Sequence, residues 1–224
     1  MTLRPVAREL AVLGPLAQLR AGRLPRRLLQ LVVGLALYGA SLAMLIRATL
    51  GNAPWDVLHQ GMAVHLPMSI GTAVVVASVL VLLAWIPLRQ PPGLGTIANA
   101  LMVGPVADLG LRLLAAPDHP GARAGLLVGG VLLNALATAL YIGAQPGPGP
   151  RDGLMTGLHR RTGVGLGRVR TGIEAGVVAL GWLLGGVVGV GTVVYALMIG
   201  PLAQRMIPLA VVQLPERPRV PQRP

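Results

Sequence analysis

A chain of 224 residues that is 54% hydrophobic, with mean hydropathy +0.69 and 12% charged residues, has too few charges to coat a water-soluble globule. All 19 basic residues are arginine, set against 7 acids for a net charge of +12, a balance that fits a nucleic-acid binder; but with no Phe and three Tyr there is no aromatic platform for bases, and long apolar runs point to a bilayer. The absence of cysteine excludes disulfides, thiolate metal sites and cysteine nucleophiles.

Residues 1–27 carry six Arg and one Glu and read as a basic cytoplasmic arm, either resting on anionic lipid head groups or setting topology only. Uncharged runs over residues 28–46, 70–88 and 124–144 are long enough to cross about 30 Å of hydrocarbon. Three weaker spans follow the same length rule: 93–113 with Asp108 and Arg112, 166–187 with Arg168, Arg170 and Glu174, and 190–208. The core of the first run is too long for a secretory signal, so six spans are expected, with a Pro/Arg-rich cytoplasmic tail at 209–224. With the N-terminus inside, 16 of the 19 Arg fall on the cytoplasmic side and Arg47, Arg112 and Arg123 outside. Both termini are therefore expected in the cytoplasm.

A shift of 96 residues lays the first half on the second without a gap. Pro54, Asp56, Leu58 and Gly61 fall on Pro150, Asp152, Leu154 and Gly157, and Gly71 falls on Gly167. The run Gly93-Leu94-Gly95-Thr96 falls on Gly189-Val190-Gly191-Thr192, and Gly104-Pro105 on Gly200-Pro201. Each copy (28–116 and 124–208) holds three spans, an odd number, so the second enters the bilayer from the opposite face. The expected fold is all-α, six transmembrane helices in a 3+3 inverted repeat, with a short non-spanning helix in each half. Inverted repeats give many secondary transporters two states of similar energy, with a site near the midplane.

The short helices begin at Pro54-Trp55-Asp56 and Pro150-Arg151-Asp152. Proline suits the first helical position, and an acid two residues on meets the positive end of the helix dipole, so Asp56 and Asp152 are either helix-start residues or groups facing a cation or polar solute. Arg151 joins them as a substrate- or ion-binding candidate. The Gly-x-Gly-Thr elements are expected to allow close packing, with each Thr hydroxyl satisfying an orphan amide; no Lys follows that would make a phosphate loop. Gly104-Pro105 and Gly200-Pro201 sit inside spans, where proline frees a carbonyl and kinks the helix, and are candidate hinges or static bends.

Asp108 and Arg112 stand four residues apart, as do Arg170 and Glu174, so each pair is expected to share a helix face and neutralise itself. Glu174 is the deepest acid and the first candidate for a proton or cation site, with Arg170 as its partner. Gly181, Gly185 and Gly189 recur every four residues and offer a smooth helix face for packing in the chain or in a homodimer. His59, His65, His119 and His159 do not fall at metal spacing, no nucleophile-elbow serine is present, and no metal, cofactor or catalytic set is expected.

The run Gly149-Pro150-Arg151-Asp152-Gly153-Leu154-Met155-Thr156-Gly157-Leu158, with Arg161-Thr162-Gly163, Arg170, Glu174, Gly185-Gly186 and Gly191-Thr192, resembles the YczE-type (YitT/YczE-like) bacterial integral membrane proteins. The resemblance covers about residues 28–208 and is looser in the first half, where Trp55 stands in place of Arg151. It implies a multi-span protein of the bacterial plasma (inner) membrane and brings no substrate with it. The leading expectation is a secondary transporter or exporter of an unidentified small solute; the alternative is a non-transporting membrane scaffold or accessory protein. Transport requires that Glu174, Arg170 and at least one of Asp56 and Asp152 face a shared polar cavity; scaffolding places them against head groups or one another.

Overall fold

Six helix starts in the structure have a local cause. Pro54, Pro120 and Pro150 occupy first helical positions, Ser69 accepts the Thr72 amide, and the Thr96 and Thr192 hydroxyls accept the amides of Gly93 and Gly189. The computed structural model describes residues 15–214, and all their regular structure is helical: α1 Pro15–Arg20, α2 Leu24–Ala48, α3 Pro54–His65, α4 Ile70–Leu88, α5 Leu94–Leu113, α6 Pro120–Gly143, α7 Pro150–Thr162, α8 Leu166–Leu183 and α9 Val190–Ala210. The first fourteen residues of the basic arm and the tail from 215, with Arg217, Arg219 and Arg223, lie outside the described residues.

Five helices, α2, α4, α5, α6 and α9, are long and apolar enough to cross a membrane. α8 spans 18 residues but carries Arg168, Arg170 and Glu174 and is not among them. Leu80, Leu83, Leu101 and Leu197 are exposed on the outward faces, as a lipid-facing bundle requires. The chain is a helical membrane protein.

α2 and α6 form the centre. Gly34, early in α2, lies against Leu140 and Tyr141 late in α6, while Gly130, early in α6, lies against Leu45 late in α2, so these two helices run antiparallel. α5 runs parallel to α2, with Gly39 against Val103 and Gly110 against Ala43; α9 runs parallel to α6, with Leu127 near Gly191 and Gly143 against Ala210. Glycine permits these approaches, since a Cβ at Gly34 would sit 2.8 Å from the Tyr141 nitrogen.

The joints that follow α2 and α6 have the same backbone. Thr49 and Gln145, 96 residues apart, have φ of 55° and 57°, and Gly51 and Gly147 have φ of 109° and 115°, a region that favours glycine. Each joint holds the start of the last helix of the other half: the Gly191 amide donates to Leu50 O (2.7 Å) and the Gly95 amide to Pro146 O (2.9 Å). The short helices also cross over, α3 packing on α8 and α7 on α4.

Three expectations change. Gly181, Gly185 and Gly189 do not form one helix face, because α8 ends at Leu183 and Gly185 has a φ of 84°; Gly181 packs closely against Val57 and Leu58 of α3, and Gly189 against Leu50 and Gly51 of the joint after α2. Asp108 makes no ion pair with Arg112. It accepts from the Ser69 hydroxyl and the Gly71 amide (2.8 Å), so it caps the start of α4, whose free amides are a better partner than a solvated guanidinium. Arg27, counted with the arm, is buried and donates to Ala144 O (2.7 Å), Gln145 O (2.6 Å) and Gln18 O (2.5 Å), closing the last turn of α6.

Candidate functional site

The first turns of α3 and α7 meet between the halves. Because residues 55 and 151 are equivalent under the 96-residue shift, Trp55 and Arg151 meet there, the guanidinium lying 4.9 Å from the centre of the indole ring. Arg151 stands 4.0 Å from Asp56 Oδ1, and the same oxygen faces His59 Nδ1 at 3.2 Å. Asp56 and His59 are buried, and burial pushes the His59 imidazole below its ordinary value, against the opposing pull of the Asp56 carboxylate. Neither Asp56 nor Asp152 caps its helix: Ala53 and Gly149 hold the cap positions without side-chain bonds, and Asp152 Oδ2 instead accepts from the Tyr141 hydroxyl (2.6 Å).

A cavity of about 290 Å³ opens beside this pair, lined among others by Tyr38, Trp55, Tyr141, Arg151, Asp152, Arg170, Glu174 and Tyr195. Arg170 Nε donates to Glu174 Oε1 (2.8 Å), so this expected pair forms. It is partly solvated, its side chains 43% and 24% exposed, which leaves both ends available to a solute. Of the candidates read from sequence, Asp152, Arg151, Arg170 and Glu174 line this one cavity; Asp56 lies behind it, in contact with Arg151. Gly200 is on its wall, Gly104 is packed against α4, and Pro105 and Pro201 lie within α5 and α9.

A second cavity, about 40 Å³, is also lined by Arg151 and Asp152. Seven of its ten lining residues are 96-residue counterparts of residues lining the first. Gly149, Pro150 and Arg151 correspond to Ala53, Pro54 and Trp55; Val74 and Ser78 to Arg170 and Glu174; Asn99 and Val103 to Tyr195 and Ile199. Tyr38, Tyr141, Arg151 and Asp152 line both cavities.

The difference in size follows from two helix seams. Gly71 of α4 and Gly104 of α5 touch so closely that a Cβ on either would sit 2.2 Å from the other's carbonyl oxygen. Their counterparts, Gly167 of α8 and Gly200 of α9, have nothing among the described residues within 4 Å of the same point.

Sequence reading missed the tyrosines. All three in the chain, Tyr38, Tyr141 and Tyr195, line the larger cavity, and Tyr195 donates to Asn134 Oδ1 (2.9 Å) while Asn134 Nδ2 donates to the buried Ser41 hydroxyl (2.8 Å). The signal was there: in apolar spans without Phe, a phenol needs a polar partner, and Asn134 supplies one.

A family of unknown function, DUF6198, matches residues 25–208. The chain belongs to this family. Among curated relatives of this DUF6198 chain, an uncharacterized protein of Haemophilus influenzae is 37% identical over 188 residues, covering 84% of this chain and 86% of the relative. The uncharacterized membrane protein YczE of Bacillus subtilis is 27% identical over 175 residues, covering 78% and 81%. The expected YczE-like kinship therefore holds. No solved structure matches the DUF6198 chain.

Proposed function

We propose that the protein is a secondary transporter or exporter of a small solute in the bacterial inner membrane, working by alternating access between two inverted three-span halves. In this reading α8 is the sixth span, its Arg170 and Glu174 facing the cavity rather than lipid, and both termini are cytoplasmic. The antiparallel packing of α2 on α6, counterparts under the shift, supports the inversion.

The observation that carries the reading is the pair of corresponding cavities, one open beside the parted Gly167 and Gly200 seam and one collapsed beside the packed Gly71 and Gly104 seam. With the N-terminus inside, the start of α8 and the end of α9 lie at the cytoplasmic face, so this conformation is open inward and sealed outward. The reverse state exchanges the seams: Gly167 meets Gly200, α4 parts from α5, and Arg151 and Asp152 with the two shared tyrosines remain as the barrier between. The Gly-Pro steps in α5 and α9 let those helices bend without breaking a full ladder. No catalytic reaction belongs to this proposal, and exposed Arg160 and Arg161 fall at the anionic head groups of the inner leaflet.

Because the chain has no cysteine, the seam can be probed directly. The double variant Gly167→Cys, Gly200→Cys should cross-link in native membranes under oxidant. In proteoliposomes screened with pooled small organic solutes under imposed proton and sodium gradients, cross-linking should stop flux and reductant should restore it. Flux that continues through the cross-linked protein, or reporter tags placing the ends of α3 and α7 on one side, would overturn the mechanism.

A further inference from the structure

Polar groups at the site are unequally satisfied. Each carboxylate has a partner: Glu174 has Arg170, Asp152 has Tyr141, and Asp56 has His59. The unsatisfied groups are donors. Trp55 lines the cavity, the residue is 7% exposed, and its buried indole Nε1 has no acceptor among the described residues. Arg151, stacked on that ring with its side chain 22% exposed, donates no hydrogen bond to a described residue; its nearest carboxylate oxygen is the 4.0 Å contact with Asp56. An unmade hydrogen bond from a buried donor costs free energy that a ligand acceptor recovers. Both residues sit in the first turns of helices whose leading amides have no intrahelical partners, which adds positive potential at the same point.

We propose that the solute carries a carboxylate, held by the Arg151 guanidinium and the Trp55 indole N–H; this rests on the transport reading above and names the chemistry of its site. Arginine presents its N–H groups as a planar fork that matches two carboxylate oxygens. The cavity, at about 290 Å³ and walled by three tyrosines, accepts a compact body with an apolar or aromatic surface. The five charged groups at the site, Asp56, Asp152, Glu174, Arg151 and Arg170, sum to one negative charge, so a dianion such as a phosphate monoester is disfavoured. A monocarboxylate and a zwitterionic amino acid share the required group. The second adds an ammonium for the spare oxygens of Glu174 and Asp152.

The test is binding, not flux, to the purified full chain in detergent. Four probes share a phenyl body: 3-phenylpropanoate, phenylalanine, phenethylamine and phenyl phosphate. Thermal unfolding should rise with 3-phenylpropanoate or phenylalanine and stay flat with the other two, since a ligand that binds only the folded state stabilises it. Which carboxylate acts tells the acid from the zwitterion. Arg151→Gln should remove the shift. Trp55→Phe keeps the ring and deletes one donor, so it should weaken binding roughly tenfold with folding intact. Stabilisation by phenethylamine or phenyl phosphate alone, no shift with either carboxylate, or a carboxylate shift unchanged in both variants would overturn the proposal. Carboxylate binding without flux in proteoliposomes would count against transport and leave this assignment standing.

Discussion

The seams between α4 and α5 and between α8 and α9 are built from equivalent glycines, yet one is shut and the other open. At the shut seam Asp108 bonds to Ser69 and to the Gly71 amide, fastening the end of α5 to the start of α4. The residue equivalent to Asp108 is Gln204, on the wall of the open cavity, and the counterpart of Ser69 is Gly165. Where Val74 and Ser78 fill the closed side, Arg170 and Glu174 hold charge on the open one. A repeated backbone has therefore been given a latch on one side and a polar wall on the other. The latched seam is the tighter contact, and the unlatched seam opens beside the charged wall.

The largest effect expected is at the short helices. Trp85 of α4 covers Gly153 of α7 and donates to Pro150 O (3.0 Å), while on the other side Gly181 of α8, at the position equivalent to Trp85, packs on Val57 of α3. Trp85→Ala should cost about 3–5 kcal/mol, because it leaves a cavity no neighbour can fill. The measurement is unfolding of the purified protein by denaturant in mixed micelles. Leu58→Ala on the opposite interface, where the side chain is only partly buried, should cost less.

Next come the seams themselves. Gly71→Ala places a methyl against backbone that cannot yield, so about 1–3 kcal/mol of stability should be lost. Gly167→Ala meets empty space in the first turn of α8 and should be neutral or gain up to about 0.5 kcal/mol. The two variants should part again in flux: a bulky Gly167→Leu should hold the inner seam open and abolish transport while the protein stays folded. Equal stability losses at Gly71 and Gly167 would show that the open seam closes in solution as the resting state.

Smaller still is the contrast between the two threonines that begin α5 and α9. Thr96 is fully buried, accepts the Gly93 amide (3.0 Å) and donates to Pro148 O (2.6 Å); Thr192 accepts the Gly189 amide at 3.2 Å. Thr96→Ala should cost about 1–2 kcal/mol and Thr192→Ala about half as much, read from the same unfolding curves.

Helix positions were legible because span length, proline at first helical positions and the Gly-x-Gly-Thr starts are local signals: the run at 70–88 is α4 as read, and α3 and α7 begin at Pro54 and Pro150. Partners were harder to read. Spacing of four put Arg112 beside Asp108, but the carboxylate went to the start of another helix, a long-range contact that no local period encodes. Tyr38, Tyr141 and Tyr195 escaped notice because each is alone in an apolar run, and only the crossing of α2, α6 and α9 gathers them. The end of α8 at Leu183 was hidden by glycines that read equally as packing face or as helix break.

The smallest effect on stability should accompany one of the largest on function, at Glu174. Its ion pair with Arg170 is partly solvated, and exposed pairs of this kind contribute about 0–1 kcal/mol, so Glu174→Gln should barely move the unfolding midpoint. The amide still accepts from Arg170 Nε, and the cavity keeps its shape. What changes is charge: the lining gains one positive unit, with the Arg170 guanidinium no longer neutralised. If Glu174 carries a proton or cation through the cycle, gradient-driven uptake should fall at least tenfold while exchange of solute across the proteoliposome membrane persists, because exchange needs no net cation movement. If both fall together, Glu174 holds the solute rather than the coupling ion. If neither falls, the pair only braces α8, and coupling belongs to Asp152 or Asp56, the acids nearest Arg151.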